Sequence, residues 1–195
     1  MAVLVRTTIA MLLCAPVIAV QAAPVTYQID PTHTFVLLTR SNYGFSNPII
    51  VANIDQGTLV FDRADPSRSS VHVSLPVARI NTFVPHLDNE FRSAMFFDSD
   101  KFPPITFQST RVQALGRDKY TITGNLVAHG ISRPVVLHAR LNKAGENPLT
   151  RRQAIGFDAT GTLKRSDFGL NFNVPNVSDE ITLKLTVQSD ALPVQ

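Results

Sequence analysis

The chain has 195 residues, 44% of them hydrophobic, and carries a formal net charge of only +3. Its basic residues are scattered apart from pairs such as Arg151-Arg152 and Lys164-Arg165. A nucleic-acid binder concentrates them on one face beside aromatic residues for stacking, so no nucleic-acid partner is expected.

Residues 1–22 read as a secretory signal peptide. Arg6 supplies positive charge, Ile9 to Val20 form an apolar run broken only by Pro16, and Val20-Gln21-Ala22 offers small residues near a cut site. The run is shorter than the roughly 20 apolar residues a spanning helix needs. Cleavage would discard Cys14, the one cysteine. The mature domain, residues 23–195, is then left with no thiol for a disulfide, a nucleophile or a metal ligand. The periplasm is its expected location, and a hydrophobic core must hold it together.

Beyond residue 24 the hydrophobic pattern has period two, the signature of strands with one dry and one wet face. Strands are expected at Thr34 to Arg40, at Gln56 to Asp62 and at Val71-His72-Val73-Ser74-Leu75. Leu87, Phe91 and Met95, spaced four apart, predict one short helix that caps or packs on the sheet. Strands resume at Ile105 to Thr110 and Tyr120 to Thr123. Val135, Leu137, Ala139 and Leu141 then line one face, with His138 and Arg140 opposite. Ile155, Phe157, Ala159, Gly161 and Leu163 repeat the pattern, and Ile181, Leu183, Leu185 and Val187 complete it. Asp62 to Ser70 and Asn142 to Arg152 are rich in turn residues.

The expected fold class is therefore all-β, with about eight antiparallel strands and one or two short helices. The apolar face must be hidden in a sandwich or a closed barrel, and periodicity alone does not separate the two. Gly124 and Gly161 fall where dry-side residues belong. They leave room for a guest inside a barrel, or they mark bends and bulges.

Sites of chemistry are scarce. None of the 5 histidines forms a His-x-His or His-x-x-x-His pair. His72 and His138 fall on the wet faces of strands, whereas His33 and His129 sit beside strands. No Gly-x-Ser-x-Gly elbow and no glycine-rich phosphate loop is present. Asp179-Glu180 opens a strand and suits a capped turn. No catalytic residue, metal site or cofactor is expected, and the protein reads as a non-enzyme.

Several segments together resemble the YceI-like family of exported lipid-binding proteins. Tyr27-Gln28-Ile29-Asp30-Pro31-Thr32-His33-Thr34 is similar to the family's first strand. Phe96-Phe97-Asp98 and Lys101-Phe102-Pro103-Pro104-Ile105-Thr106-Phe107 resemble its central block. Gly124-Asn125-Leu126, Ala128-His129-Gly130-Ile131, Arg165-Ser166-Asp167-Phe168-Gly169 and Val177-Ser178-Asp179-Glu180-Ile181 follow in the family's order. The resemblance implies a lipocalin-like eight-stranded antiparallel barrel whose apolar pore carries a polyisoprenoid or similar long-chain amphiphile.

The ligand-binding residues this implies are Val36, Leu38, Arg40, Val73, Phe107, Ile122, Gly124, Leu137, Phe157, Gly161, Phe168 and Leu183. Arg40 is the one suited to a polar head group. Where many relatives carry a histidine, this chain has Asn42 near the end of the first strand and Glu90 in the short helix. The alternative function is a structural or stress-related envelope protein that acts through a partner, for example a membrane redox protein. A second copy, forming a homodimer, is a further candidate partner.

Overall fold

The structure, a computed structural model, describes residues 23–192. The expected signal peptide and Cys14 lie outside the described residues. Alternating side chains build a closed barrel from short and long strands. The short ones come first: β1 (Val25–Ile29), β2 (Phe35–Thr39), β3 (Ile49–Asn53), β4 (Gln56–Phe61), β5 (Ser70–Pro76) and β6 (Ile80–Asn81). The helix α1 (Pro85–Arg92) follows. The long strands are β7 (Pro104–Gly116), β8 (Lys119–Ala128), β9 (Ile131–Glu146), β10 (Gln153–Lys164) and β11 (Glu180–Ala191).

The six short strands are three long ones, each interrupted once. β1 and β2 lie end to end along β11, whose Ser189 faces Ile29 and whose Thr186 faces Phe35. β4 and β3 continue along β1 and β2, and β5 and β6 along β4 and β3. Counted this way, eight antiparallel strands follow one another in chain order, and β11 closes the ring on β1. The barrel is up-and-down, which leaves few edges to protect.

The interruption between β1 and β2 has a visible cause. Asp30 Oδ1 accepts from the Thr32 amide at 2.8 Å and from its hydroxyl at 2.6 Å, turning the chain out of the ladder around Pro31. Thr34 then repairs the gap. Its hydroxyl donates to the Gln188 carbonyl at 3.3 Å and accepts from the Gln188 amide at 3.1 Å, standing in for a missing backbone rung while fully buried.

Three expectations change. β3 and β6 were not anticipated, because Ile49-Ile50-Val51-Ala52 is apolar throughout and shows no alternation. β9 runs on to Glu146, five residues into the segment expected to turn, and pairs Glu146 with Gln153. That extension projects past the packed interior with both faces largely exposed, so it carries no hydrophobic period to read. The helix ends at Arg92, where the Ser93 amide bonds back to the Asn89 and Glu90 carbonyls. Met95 is consequently 62% exposed rather than packed beside Leu87 and Phe91.

One end of the barrel is plugged. Tyr27, Phe61, Tyr120, Leu141 and Ile155 are buried together there. The rings of Phe61, Tyr120 and Phe157 meet edge to face at 5.6 to 6.1 Å, a favourable arrangement of aromatic quadrupoles. The loops between β2 and β3, between β5 and β7, and between β10 and β11 gather at the other end, with α1 among them. That end is hollow beneath its loops.

Candidate functional site

The hollow is a cavity of about 360 Å³. Its wall comes from the inward-facing residues of nearly every strand: Val36 and Leu38 on β2, Ile50 and Ala52 on β3, Val73 and Leu75 on β5. Phe107, Leu126, Val135, Leu137, Ile181 and Leu183 complete the opposite side. A smaller space of about 90 Å³ lies below it, toward the aromatic plug, and shares Ile54, Val73, Phe107, Leu137 and Leu185 with the upper one. The two form one apolar column interrupted by those side chains.

An aromatic roof covers the cavity. Phe91 on α1 stacks on Phe96 with centroids 5.1 Å apart, Phe97 approaches Phe91 at 6.0 Å, and Phe172 meets Phe96 edge-on at 5.7 Å. All four line the cavity. The turn after Arg92 places Phe96 and Phe97, swinging them inward as Met95 swings out.

The charged residues of the cavity wall collect at this end, where Arg40, Glu90 and Arg165 line it together with Asn42. Arg165 is committed to structure. Its guanidinium donates to the carbonyls of Ser178, Leu170 and Val177 at 3.0, 2.8 and 2.8 Å, and so pins the loop between β10 and β11. Burial depresses its pKa, and the Arg40 charge adds to the effect. Arg40 differs. It is half-buried, and its one side-chain hydrogen bond among the described residues is a long one, 3.5 Å, to Asn42 Oδ1. Burial lowers its pKa too, while the Glu90 charge partly offsets this without forming a contact ion pair. A cation with spare donors at the polar end of an apolar cavity is the site's main chemical feature. Asn42 and Glu90 line the cavity with it.

Eight of the residues singled out from the sequence lie on the upper wall: Val36, Leu38, Arg40, Val73, Phe107, Leu137, Phe168 and Leu183. Ile122 and Phe157 line the lower space. Gly124 and Gly161 line neither. A Cβ on Gly124 would collide with the Phe107 ring and lie 2.6 Å from the Gln108 carbonyl oxygen; one on Gly161 would lie 2.9 Å from Leu137 Cδ2. Each glycine makes room for a neighbour's side chain, and it is Phe107 and Leu137 that face the cavity. The roof residues Phe96, Phe97 and Phe172 carry no periodic signal, because they stand on loops; Phe96 and Phe97 are marked only by the concentration of phenylalanines between Phe91 and Phe102, and Phe172 by nothing local.

His33 and His129 do not converge. The His33 Nδ1 pairs with Asp30 Oδ2 at 2.6 Å on an exposed surface. His129 Nδ1 lies 3.2 Å from the Phe168 carbonyl, and its ring meets Phe102 edge-on. His72 and His138 are exposed, as their strand positions predict. Among the described residues, no three His, Cys, Asp or Glu side chains come together as a metal site. The arrangement can bury an apolar chain and offer hydrogen bonds to its polar end.

Comparison with known proteins agrees with this architecture. The YceI-like domain model matches residues 27–189. A UPF0312 protein of Azotobacter vinelandii is 35% identical over 170 residues, covering 86% of this chain and 88% of its own. BcnA of Burkholderia cenocepacia superposes with a TM-score of 0.74 at 20% identity, covering 82% of this chain and 98% of its own. A polyisoprenoid-binding domain from Saccharophagus degradans superposes with a TM-score of 0.57 at 14% identity, over 86% of this chain and 99% of its own. From the family match and the close relative, the chain belongs to the YceI-like family.

Proposed function

We propose that this protein is an exported carrier that holds one polyisoprenoid or similar long-chain amphiphile in the barrel, tail toward the aromatic plug and head toward Arg40. The observation that carries this reading is the cavity itself: about 360 Å³, apolar along its depth and polar at one end. That size falls at the lower end of the range for small-molecule sites, about 300–1,000 Å³. The energetics are sufficient. Each buried methylene contributes about 0.8 kcal/mol, so a few five-carbon units offset an association cost of order 4–15 kcal/mol. The fold resemblance to a polyisoprenoid-binding domain supports the same class of ligand. Carriage rather than turnover is the activity proposed.

A competition titration tests the reading. A fluorescent isoprenoid probe should bind in a one-to-one ratio and be displaced by geranylgeranyl phosphate, in buffer without detergent. Failure of both probe and competitor to bind would defeat it. Export is tested separately, by recovering the mature domain from a periplasmic extract with its first 22 or so residues removed.

A further inference from the structure

The exposed aromatic residues are not spread over the molecule. Tyr43, Phe45, Phe83 and Phe172 are 50%, 92%, 67% and 44% exposed, and all four stand on the loops at the roofed end of the barrel. Large exposed side chains at the plugged end are aliphatic and separate, such as Leu115 beside Arg117 and Leu149 beside Arg151. Tyr43 and Phe172 also line the cavity, so its apolar wall continues without a break onto the outer surface.

The loop that presents Phe45 is firmly built. The Asn42 amide donates to the Ser46 carbonyl at 2.8 Å, the Phe45 amide to the Asn42 carbonyl at 3.0 Å and the Tyr43 amide to the Asn176 carbonyl at 2.8 Å. The Gly44 amide reaches Ser41 Oγ at 3.2 Å, and Tyr43 and Gly44 both take positive φ, 53° and 75°. A tight turn braced against the neighbouring loop holds the Phe45 ring out in water, where a lone solvated loop would not need such bracing.

We propose that this aromatic rim docks on a lipid bilayer and inserts Phe45 into its interface, so that the cavity receives or surrenders its amphiphile without exposing the tail to water. The inference rests on the cavity being an amphiphile site. Such a ligand resides in bilayers, and its passage through water would expose every methylene the cavity buries. Aromatic side chains favour the headgroup boundary over either bulk phase. Charges around the rim are of both signs, Arg40 and Arg92 against Glu90 and Asp98, so docking depends on apolar insertion and only weakly on salt.

The chain contains no tryptophan, so a single one reports cleanly. Phe45→Trp should shift its emission to the blue on adding phosphatidylcholine vesicles and be quenched by brominated lipid, whereas Leu149→Trp, at the opposite end, should do neither. Phe45→Ser should weaken co-sedimentation with the same vesicles by about tenfold, the scale of one buried ring. An unshifted Phe45→Trp, or a Leu149→Trp that shifts as much, overturns the proposal. So does a Phe45→Trp shift that grows with protein concentration before any vesicle is added, which would make the rim a contact with a second copy. The isoprenoid titration without vesicles is independent of all three, so a rim that ignores bilayers leaves the cavity's ligand intact, and the reverse.

Discussion

On the proposed function, Arg40 is the residue on which ligand selectivity would turn. A charge-assisted hydrogen bond contributes about 1.5–3 kcal/mol, and Arg40 has donors to spare at the polar end of the cavity. Arg40→Gln should therefore weaken geranylgeranyl phosphate about tenfold while changing geranylgeraniol little; equal losses for both would mean that Arg40 serves the fold instead. A second residue contributes to behaviour in acid. The Asp62 carboxylate is 3% exposed, pairs with Arg68, and accepts from the Ala64 and Asp65 amides at 3.0 and 2.9 Å. The hydrogen bond from the Asp65 amide does most to hold its pKa below the usual carboxylate range, against the effect of burial. Stability from a depressed carboxylate is complete above its unfolded value, about 4, and is lost as pH falls through the lower folded one. Asp62→Asn should lower the urea midpoint at neutral pH and make the acid decline shallower, with the two proteins converging at low pH.

Among the elements, the long strands are legible because each has one dry face, and the alternation of Val135, Leu137, Ala139 and Leu141 is the pattern of burial itself. The broken strands are harder to read. β3 has no alternation, and although Asp30-Pro31-Thr32 marks the break locally, its bridging by hydrogen bonds between Thr34 and Gln188 on a distant strand is not displayed in the local sequence. The cavity wall was readable from β2, where Val36, Leu38 and Arg40 share a face, but the roof was not, since Phe96, Phe97 and Phe172 acquire their positions from turns. Gly124 shows the same limit, because only the fold reveals that Phe107 occupies its space. Gly124→Ala should cost about 1–3 kcal/mol of stability, the range for overpacking. Adding Phe107→Leu should recover only part of this, because the Gln108 carbonyl stays in place. The loop between β10 and β11 depends on Arg165 in the same way. Arg165→Met strands two buried carbonyls, each costing about 1–3 kcal/mol, and a part-buried third, and should reduce the urea midpoint sharply; a change within error would remove Arg165 from that role.

At the scale of the whole molecule, the two ends of the barrel do different work. The plugged end, with Phe61, Tyr120 and Phe157 in contact, supplies the packed core that a domain without disulfides needs. The other end gives up packing for a cavity, and an unfilled void costs stability because its lining lacks contact partners. If the cavity holds an amphiphile as proposed, its tail would restore those contacts and link ligand to fold, and the loaded protein should melt higher than the stripped one. The most direct measurement is mass spectrometry of an organic-solvent extract from protein purified gently and without detergent. A long-chain amphiphile in amounts approaching one per protein is the result expected. An extract empty of any such molecule, from protein that also fails to take up geranylgeranyl phosphate afterwards, would contradict the account.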